Sequence, residues 1–220
     1  MRSYSKSPIL ITGVQRSGAS IVARILALCG VYTGDINKMY ENKKLLKLSQ
    51  ELLLNQTVIE SKPDVLFTQV KEIPVDWQEK ISSIMPADEQ WIFKSYLNTQ
   101  LWKVWNYAYP NAKWVIVRRR SADIINSCQK TAYMTMFRDK QIQEFVGVNN
   151  EKEGWLWWIH KYENAWVDMI SSGLNCKVVW PERMVTGDYA QMYELIEWLG
   201  LEWNSKIVST IDPLLRNARR

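Results

Sequence analysis

The 220-residue chain has little of the chemistry that marks several functional classes. It contains three cysteines and one histidine, and no two cysteines form a C-x-x-C pair. Neither a disulfide framework nor a zinc site is therefore expected, and Cys29, Cys128 and Cys176 are predicted to be small core residues. No apolar run approaches the ~20 residues of a membrane span, and the N-terminus lacks the apolar segment of a signal peptide. We expect a cytoplasmic protein without a membrane span.

The charge of the chain is modest. The net charge is +5, and basic residues are scattered except at Arg118–Arg120 and at the terminal Arg219 and Arg220. A nucleic-acid partner is not expected, because a nucleic-acid groove needs a continuous basic face. A small anionic ligand fits this pattern better. The length can bury one core, which predicts a single domain over residues 1–220, and no oligomeric state follows from the sequence.

Residues 8–30 form the stretch around which the chain is organised. An apolar run typical of a strand is followed by a turn over Gly13–Ser20, and then by apolar residues at helical spacing. The backbone N–H groups of such a turn and the positive end of the helix dipole converge on one point, which suits a phosphate or sulfate. Arg16 adds a positive charge there, and Ser17 and Ser20 add hydroxyl donors.

The spacing of the two glycines matches the nucleotide P-loop, G-x-x-x-x-G-K-[ST], at all positions but one. Gly13 and Gly18 are followed by Ala19 and Ser20, so the lysine that contacts the β- and γ-phosphates is absent. A competent NTPase is therefore not expected. An ordinary strand–turn–helix without a ligand stays an alternative, because a glycine-rich turn alone is a weak signal.

Further strands alternate with helices. The predicted strands are 8–12, 91–94, 113–117 and 177–180. The predicted helices are 21–29, 41–55, 76–84, 101–108, 121–128, 151–172 and 189–199, and residues 57–76 show no clear pattern. This order predicts an α/β fold in three layers, with a central parallel sheet flanked by helices as in P-loop nucleotide-binding proteins. Ligands of such sheets bind where the strands end.

The end of the third strand carries a second candidate anion site. Arg119 follows that strand, at the same sheet edge as the glycine-rich turn, and Ser127 faces back toward it two helical turns later. A guanidinium and a hydroxyl at this spacing can bind a second phosphate, which implies a ligand with two separated anionic groups. The alternative is three arginines, Arg118–Arg120, in a solvated loop.

Together, the two segments resemble the sulfotransferases that use 3′-phosphoadenosine 5′-phosphosulfate (PAPS). The 5′-phosphosulfate motif of that family, [KR]-[ST]-G-[TAG]-[TS], is matched by Arg16, Ser17, Gly18, Ala19 and Ser20. Its 3′-phosphate motif is an arginine at a strand end and a serine eight positions later, often with an aspartate halfway, and is matched by Arg119, Asp123 and Ser127. Residues 178–203 are similar to the C-terminal strand, acidic loop and helix of the family.

The resemblance implies transfer of the sulfuryl group from PAPS, as co-substrate, to a hydroxyl of an acceptor, with adenosine 3′,5′-bisphosphate as product and no metal. Lys94, at the end of the second strand, resembles the catalytic lysine of the family, and Arg16 would assist it. Where cytosolic members carry a histidine base, two residues after that lysine, this chain has Tyr96. Other branches use a glutamate after the first helix, a place that Glu41 occupies. Asp35 is a second candidate for the base.

The residues assigned these roles also have structural interpretations that involve no ligand. Lys94 can be a surface lysine at a strand end, and Glu41 can be a helix-capping residue. His160 is expected to be structural or to face solvent. Among the tryptophans, core positions are predicted for Trp155, Trp158 and Trp166. Freedom to line an acceptor cleft is predicted for Trp102, Trp157, Trp180 and Trp203.

Three functions stay open on the sequence. The favoured one is a PAPS-dependent sulfotransferase whose acceptor is a small molecule or glycan bearing a hydroxyl. The second is a small P-loop nucleotide or sugar kinase, which should need magnesium and a lysine in place of Ala19. The third is a non-catalytic phosphonucleotide-binding protein, which the departures at Ala19 and Tyr96 keep open.

Overall fold

A parallel sheet lies at the centre of the fold. The computed structural model of the chain describes residues 7–56, 70 and 72–216. Within these ranges the strands are β1 (Ile9–Thr12), β2 (Ile92–Lys94), β3 (Lys113–Val117) and β4 (Cys176–Val179). They pair in the order β2-β1-β3-β4, and every pair is parallel. The predicted strands agree with these bounds to within one residue, which confirms the parallel α/β sheet.

Helices connect the strands. The described α-helices are α1 (Ala19–Leu28), α2 (Lys43–Gln56), α3 (Trp77–Ser82), α4 (Trp102–Ala108), α5 (Ser121–Lys130), α6 (Lys140–Val146), α7 (Glu151–Ser171), α8 (Ala190–Leu199) and α9 (Lys206–Arg216). Short 3₁₀ turns cover Tyr96–Thr99, Met136–Arg138 and Pro181–Thr186. The sequence analysis did not predict α6 or α9. Within the unreadable stretch, residues 57–69 and 71 lie outside the described residues.

The starts of two helices differ from the prediction. Helix α2 begins at Lys43 rather than at Glu41, because the side-chain oxygen of Asn42 accepts hydrogen bonds from the backbone N–H groups of Lys44 and Leu45, both at 3.1 Å. Asn42 is therefore the capping residue. At α5 the N-cap position belongs to the residue before Ser121, and no side chain caps that helix.

Alternating residues of the strands face two separate apolar cores. On one side Leu10, Phe93 and Trp114 pack with α3, α4, α5 and α7. On the other side Ile9 and Val115 pack with α1, α8 and α9. The period-two alternation of a strand, with helices covering both faces, gives the predicted three layers.

Several core predictions are tested by burial. Trp155, Trp158 and Trp166 are buried on α7, as predicted, whereas His160 on the same helix is exposed. All three cysteines are free thiols, but only Cys128 is buried and the other two are half-buried. Among the helices within the described ranges, none is long and apolar enough to cross a bilayer.

Candidate functional site

The loop between β1 and α1 is a tight turn that requires two glycines. A Cβ at Gly13 would lie 2.5 Å from Ser17 Oγ and 2.7 Å from the carbonyl oxygen of Val117. Gly18 has a φ of +96°, and its Cβ would lie 2.9 Å from Cγ of Pro181. Neither position accepts a side chain without movement of its neighbours. The backbone therefore wraps closely around the end of the sheet at this loop.

A polar group inside the loop has no protein partner. Ser17 Oγ is buried and makes no hydrogen bond within the part of the chain that the structure describes. An unpaired buried hydroxyl costs free energy, and this one lies just before the N-terminus of the ten-residue helix α1. A hydroxyl and a helix N-terminus at one point are suited to an anion. The residues present thus fit a phosphate or sulfate group.

The two predicted anion-binding motifs are in direct contact. Arg119 Nη1 donates a hydrogen bond to the carbonyl oxygen of Arg16 at 3.2 Å, across 103 positions of sequence. Arg16 Nε donates in turn to Ser127 Oγ at 2.9 Å. Arg16 itself has a left-handed backbone, with a φ of 70°. Parallel pairing of β1 and β3 puts both motifs at the same sheet edge.

The other two arginines after β3 have different partners. Arg118 forms an ion pair with Glu163, and its guanidinium carbon lies 5.0 Å from the centre of the Trp180 ring. Arg120 is paired with Asp123 at 2.9 Å. The three arginines are therefore not one solvated run. Of these three arginines, Arg119 is the one that donates a hydrogen bond to the glycine-rich loop.

Lys94 and Glu41 form a buried ion pair. Lys94 Nζ lies 3.2 Å from Glu41 Oε1, and only 11% and 9% of the two side chains are exposed. Asn37 Nδ2 donates to the second oxygen, Glu41 Oε2, at 3.0 Å. Lys94 is therefore not a solvated surface lysine. Glu41 does not cap α2 either, because Asn42 holds that position.

Burial and the ion pair act on Lys94 in opposite directions. Desolvation lowers the pKa of Lys94 from its ordinary value, and the Glu41 carboxylate partly offsets that lowering. Burial, with a further contribution from Glu41, raises the pKa of Tyr96. The Tyr96 phenol is therefore protonated at neutral pH, so it is unsuited to the role of a base. The other candidate base, Asp35, is exposed and pairs with Lys43 at 3.0 Å.

A cavity of about 500 Å³ is lined in part by Tyr96. Its lining residues are Gln15, Gln50, Leu53, Leu54, Tyr96, Leu97, Gln100, Met136 and Trp158. Trp158, a predicted core residue, is the tryptophan of this lining, and its indole N–H donates to Gln15 Oε1 at 2.7 Å. None of the four tryptophans predicted to be free for a cleft lines this cavity. Among them, Trp203 stacks on Tyr193 with ring centres 3.8 Å apart.

Comparison with known proteins agrees with this architecture. The model of the sulfotransferase family matches residues 8–205. The chain belongs to the sulfotransferase family. No curated protein matches this sulfotransferase.

Two solved structures show the same fold. The chain is similar to the sulfotransferase STF9 from Mycobacterium avium, with 10% identity and a TM-score of 0.56, over 99% of this chain and 70% of that one. It is also similar to the sulfotransferase STF1 from Mycobacterium tuberculosis H37Rv, with 13% identity and a TM-score of 0.52, over 92% and 69% of the two chains. At these identities the likeness shows the fold of this sulfotransferase.

The sequence analysis of this sulfotransferase missed two side chains. Asn37 lies four positions before Glu41 in a polar loop, where nothing in the pattern distinguishes it from other turn residues. Gln15 lies in the glycine-rich loop, one position before the 5′-phosphosulfate motif, where the P-loop pattern accepts any residue. Within the described ranges, no group of three or more His, Cys, Asp or Glu side chains is placed to hold a metal ion.

Proposed function

We propose that the chain transfers the sulfuryl group of PAPS to a hydroxyl of an acceptor. The observation that carries this proposal is the contact of Arg119 with the carbonyl of Arg16, joined by the hydrogen bond from Arg16 to Ser127. PAPS carries a phosphosulfate and a separate 3′-phosphate. A nucleotide of this kind needs two anion sites close together, and family membership makes PAPS the expected donor.

The donor is assigned to two groups of residues. Arg16, Ser17, Gly18, Ala19 and Ser20 are proposed to bind the 5′-phosphosulfate. Ser17 Oγ, which has no partner within the described chain, would donate to it. Arg119 and Ser127 are proposed to bind the 3′-phosphate, through charge-assisted hydrogen bonds. An ATP-dependent kinase has no 3′-phosphate that would call for the second group.

The reaction is an in-line displacement at sulfur. The acceptor oxygen forms a bond to sulfur while the bond from sulfur to the 5′-phosphate oxygen breaks, and that electron pair leaves with adenosine 3′,5′-bisphosphate. The acceptor proton passes to the Glu41 carboxylate. Lys94 and Arg16 stabilise the negative charge that develops on the leaving oxygen. The Glu41 carboxylate favours the cationic form of Lys94, against the larger effect of burial on the pKa of that lysine.

The geometry favours Glu41 over Asp35 as the base. Glu41 accepts one hydrogen bond on each carboxylate oxygen, from Asn37 and from Lys94. Each oxygen keeps a further lone pair for the acceptor proton, and the two donors fix the orientation of the carboxylate. Asp35 lies at an exposed position, 71% of its side chain being accessible, where water competes for it.

A thermal-shift measurement tests the donor assignment. Adenosine 3′,5′-bisphosphate should raise the melting temperature by mass action, and more than ATP or AMP does. Arg119→Ala should abolish that shift. Arg120→Ala is the matched control, because its exposed side chain contacts Asp123 and not the loop. A bisphosphate shift that survives in Arg119→Ala would overturn the assignment of the 3′-phosphate site.

The same assay separates the remaining functions. A shift produced only by ATP with magnesium would indicate a kinase. Bisphosphate binding without transfer of labelled sulfate to any member of a panel of hydroxylated small molecules and glycans would indicate a non-catalytic binding protein. The cytoplasmic location and the single domain stay predictions from the sequence.

A further inference from the structure

We propose that the cavity of about 500 Å³ lined by Gln15 of the glycine-rich loop and by Tyr96, two residues after Lys94, binds a neutral, mainly apolar alcohol as the sulfuryl acceptor. This inference rests on the proposed function and adds to it the class of the acceptor. It excludes charged acceptors and highly hydroxylated glycans.

The described residues that line the cavity are uncharged and largely apolar. Leu53, Leu54, Leu97, Met136 and Trp158 supply most of its surface, with Tyr96 at one wall. None of the described residues that line it carries a formal charge. Moving a charged group into such surroundings without a partner is costly. A polyanionic or cationic acceptor is therefore disfavoured at this place.

The polar groups of the lining are few and neutral. Three glutamines, Gln15, Gln50 and Gln100, contribute amide groups. Because the indole N–H of Trp158 can only donate, the oxygen of the Gln15 amide faces it at 2.7 Å and the NH₂ group points elsewhere. A few amides can orient one or two hydroxyl groups. They cannot pair with the many hydroxyl groups of a sugar chain, and the hydroxyl groups left without a partner would lose their hydration.

The cavity touches both halves of the proposed active site. Gln15 belongs to the glycine-rich loop, and Tyr96 lies two residues after Lys94 on the turn that ends β2. Lys94 Nζ, two residues before Tyr96 in the sequence, lies 3.2 Å from Glu41 Oε1. Consistent with this placement, burial and then the Glu41 carboxylate raise the pKa of the Tyr96 phenol. The backbone carbonyl of Tyr96 accepts a hydrogen bond from the Tyr162 hydroxyl at 3.2 Å, which fixes the turn on α7. A hydroxyl of a molecule in the cavity can thus face the base and the donor.

The size agrees with a compact ligand. Small-molecule sites usually measure roughly 300–1,000 Å³ and are lined mainly by apolar and aromatic side chains with a few polar groups. A cavity of about 500 Å³ with this lining accepts a two- to four-ring or short-chain alcohol. Leu54 lines the cavity and is 61% exposed, so a charged side chain at this position remains hydrated.

Binding of a matched pair of probes to the full chain tests the proposal. Calorimetric titration with 2-naphthol should show binding, with and without saturating adenosine 3′,5′-bisphosphate. The same ring with a carboxylate, 6-hydroxy-2-naphthoic acid, should bind about tenfold or more weakly, because its charge enters an uncharged lining. Methyl β-glucoside should not displace 2-naphthol. In the presence of labelled PAPS, 2-naphthol should accept sulfate.

A charge placed at the mouth gives the second arm. Leu54→Glu should weaken 2-naphthol binding about tenfold, the loss expected when contact with roughly two methylene groups is replaced by a charge. Val167→Glu is the matched control, because Val167 is 64% exposed on α7 and lies outside the cavity lining. Bisphosphate affinity should be the same in both variants.

The outcomes separate the two proposals. Three results would overturn the apolar acceptor and leave the donor assignment standing. The first is equal naphthol affinity in Leu54→Glu and Val167→Glu, and the second is tighter binding of the carboxylate probe or of the glucoside. The third is no naphthol binding by a chain that binds the bisphosphate. Naphthol binding that Leu54→Glu weakens, in a chain that ignores the bisphosphate, supports the apolar cavity and overturns sulfuryl transfer.

Discussion

On the proposed donor side, the loop over residues 13–20 and the segment from Arg119 to Ser127 meet through two hydrogen bonds, one of which is accepted by the backbone carbonyl of Arg16. On the proposed acceptor side, Glu41 and Lys94 meet as buried side chains. The lining of the cavity comes from five segments, namely the glycine-rich loop, α2, the turn after β2, the turn over Met136–Arg138 and α7. Each half of the donor side is thus one short segment that follows a strand. The acceptor side depends on side chains brought together from distant parts of the chain, so the two should respond differently to substitution.

The largest effect is expected on the acceptor side, from Lys94→Ala. It removes a cation from the leaving oxygen, so kcat should fall roughly 10²–10³-fold, as for the loss of a single charge-stabilising group. Bisphosphate affinity should change little. Kinetics with labelled PAPS and a binding titration measure both quantities. Lys103→Ala, at an exposed position on α4, is the control.

Stability has to be checked in the same variant. Removing Lys94 leaves the buried Glu41 carboxylate unpaired, which typically costs about 3–5 kcal/mol. The double variant Lys94→Met with Glu41→Gln removes both charges and should recover most of that loss without recovering transfer. Full activity in Lys94→Ala would contradict the proposed role of the lysine.

On the donor side, Gly18→Ala should act through the backbone. A left-handed φ costs an alanine about 1–2 kcal/mol, and the new Cβ would also lie 2.9 Å from Cγ of Pro181. Gly147→Ala is the matched control, because Gly147 has a φ of +75° but the Cβ of an alanine there would have no atom within 4 Å. Chemical denaturation should show a larger loss for Gly18→Ala, and only that variant should weaken bisphosphate binding. Equal losses would mean that the contact with Pro181 has no consequence.

A smaller donor-side effect is expected from Ser127→Ala. It removes the acceptor of the 2.9 Å hydrogen bond from Arg16 and one proposed contact to the 3′-phosphate. A net contribution of about 0.5–1.5 kcal/mol corresponds to a bisphosphate affinity lower by roughly two- to tenfold. Ser121→Ala, at the start of the same helix, serves as the control in the same titration. An unchanged affinity in Ser127→Ala would remove the serine from the site.

The smallest effect is a shift of the pH profile that leaves the plateau rate unchanged. Burial lowers the pKa of Lys94, so the decline of kcat at alkaline pH should have its midpoint below pH 10.5, the ordinary pKa of a lysine. Between the pKa of Lys94 in the folded chain and its higher pKa in the unfolded chain, the unfolded chain binds one proton more. The free energy that burial of Lys94 costs the folded chain therefore diminishes as the pH rises through this window. Lys94→Arg should move the limb to higher pH, since arginine stays charged. A limb at the same pH in both proteins would assign it to another group.

The sequence predicted the donor side better than the acceptor side for a physical reason. The glycine-rich loop and the pair Arg119 and Ser127 are local patterns attached to strands, and parallel strands bring their ends to one edge. The cavity is different, because its walls come from the glycine-rich loop, α2, the turn after β2, the turn over Met136–Arg138 and α7. Trp158 lies on the buried stripe of its helix and still lines the cavity, a double role that helical periodicity cannot show.

Two missed helices have separate explanations. Helix α6 has only seven residues, too few for an apolar period to stand out. Its start and stop signals were nevertheless present, since Asp139 accepts a hydrogen bond from the backbone N–H of Gln141 at 2.8 Å and Gly147 ends it in a left-handed conformation. Helix α9 contains Pro213, a residue that argues against the interior of a helix. Tertiary contacts with α1 outweigh that preference.

The strand order β2-β1-β3-β4 has a consequence for biosynthesis. Among the four described strands, β1 leaves the ribosome before the others and occupies an inner position, so both of its neighbours are translated later. At about 5–20 residues per second, roughly 5–20 s separate the emergence of Thr12 from that of Val117. A nascent chain stalled before Lys113 therefore lacks the strand that carries Arg119. Such a chain should not be retained on a bisphosphate affinity resin, whereas a chain released after β4 should be retained.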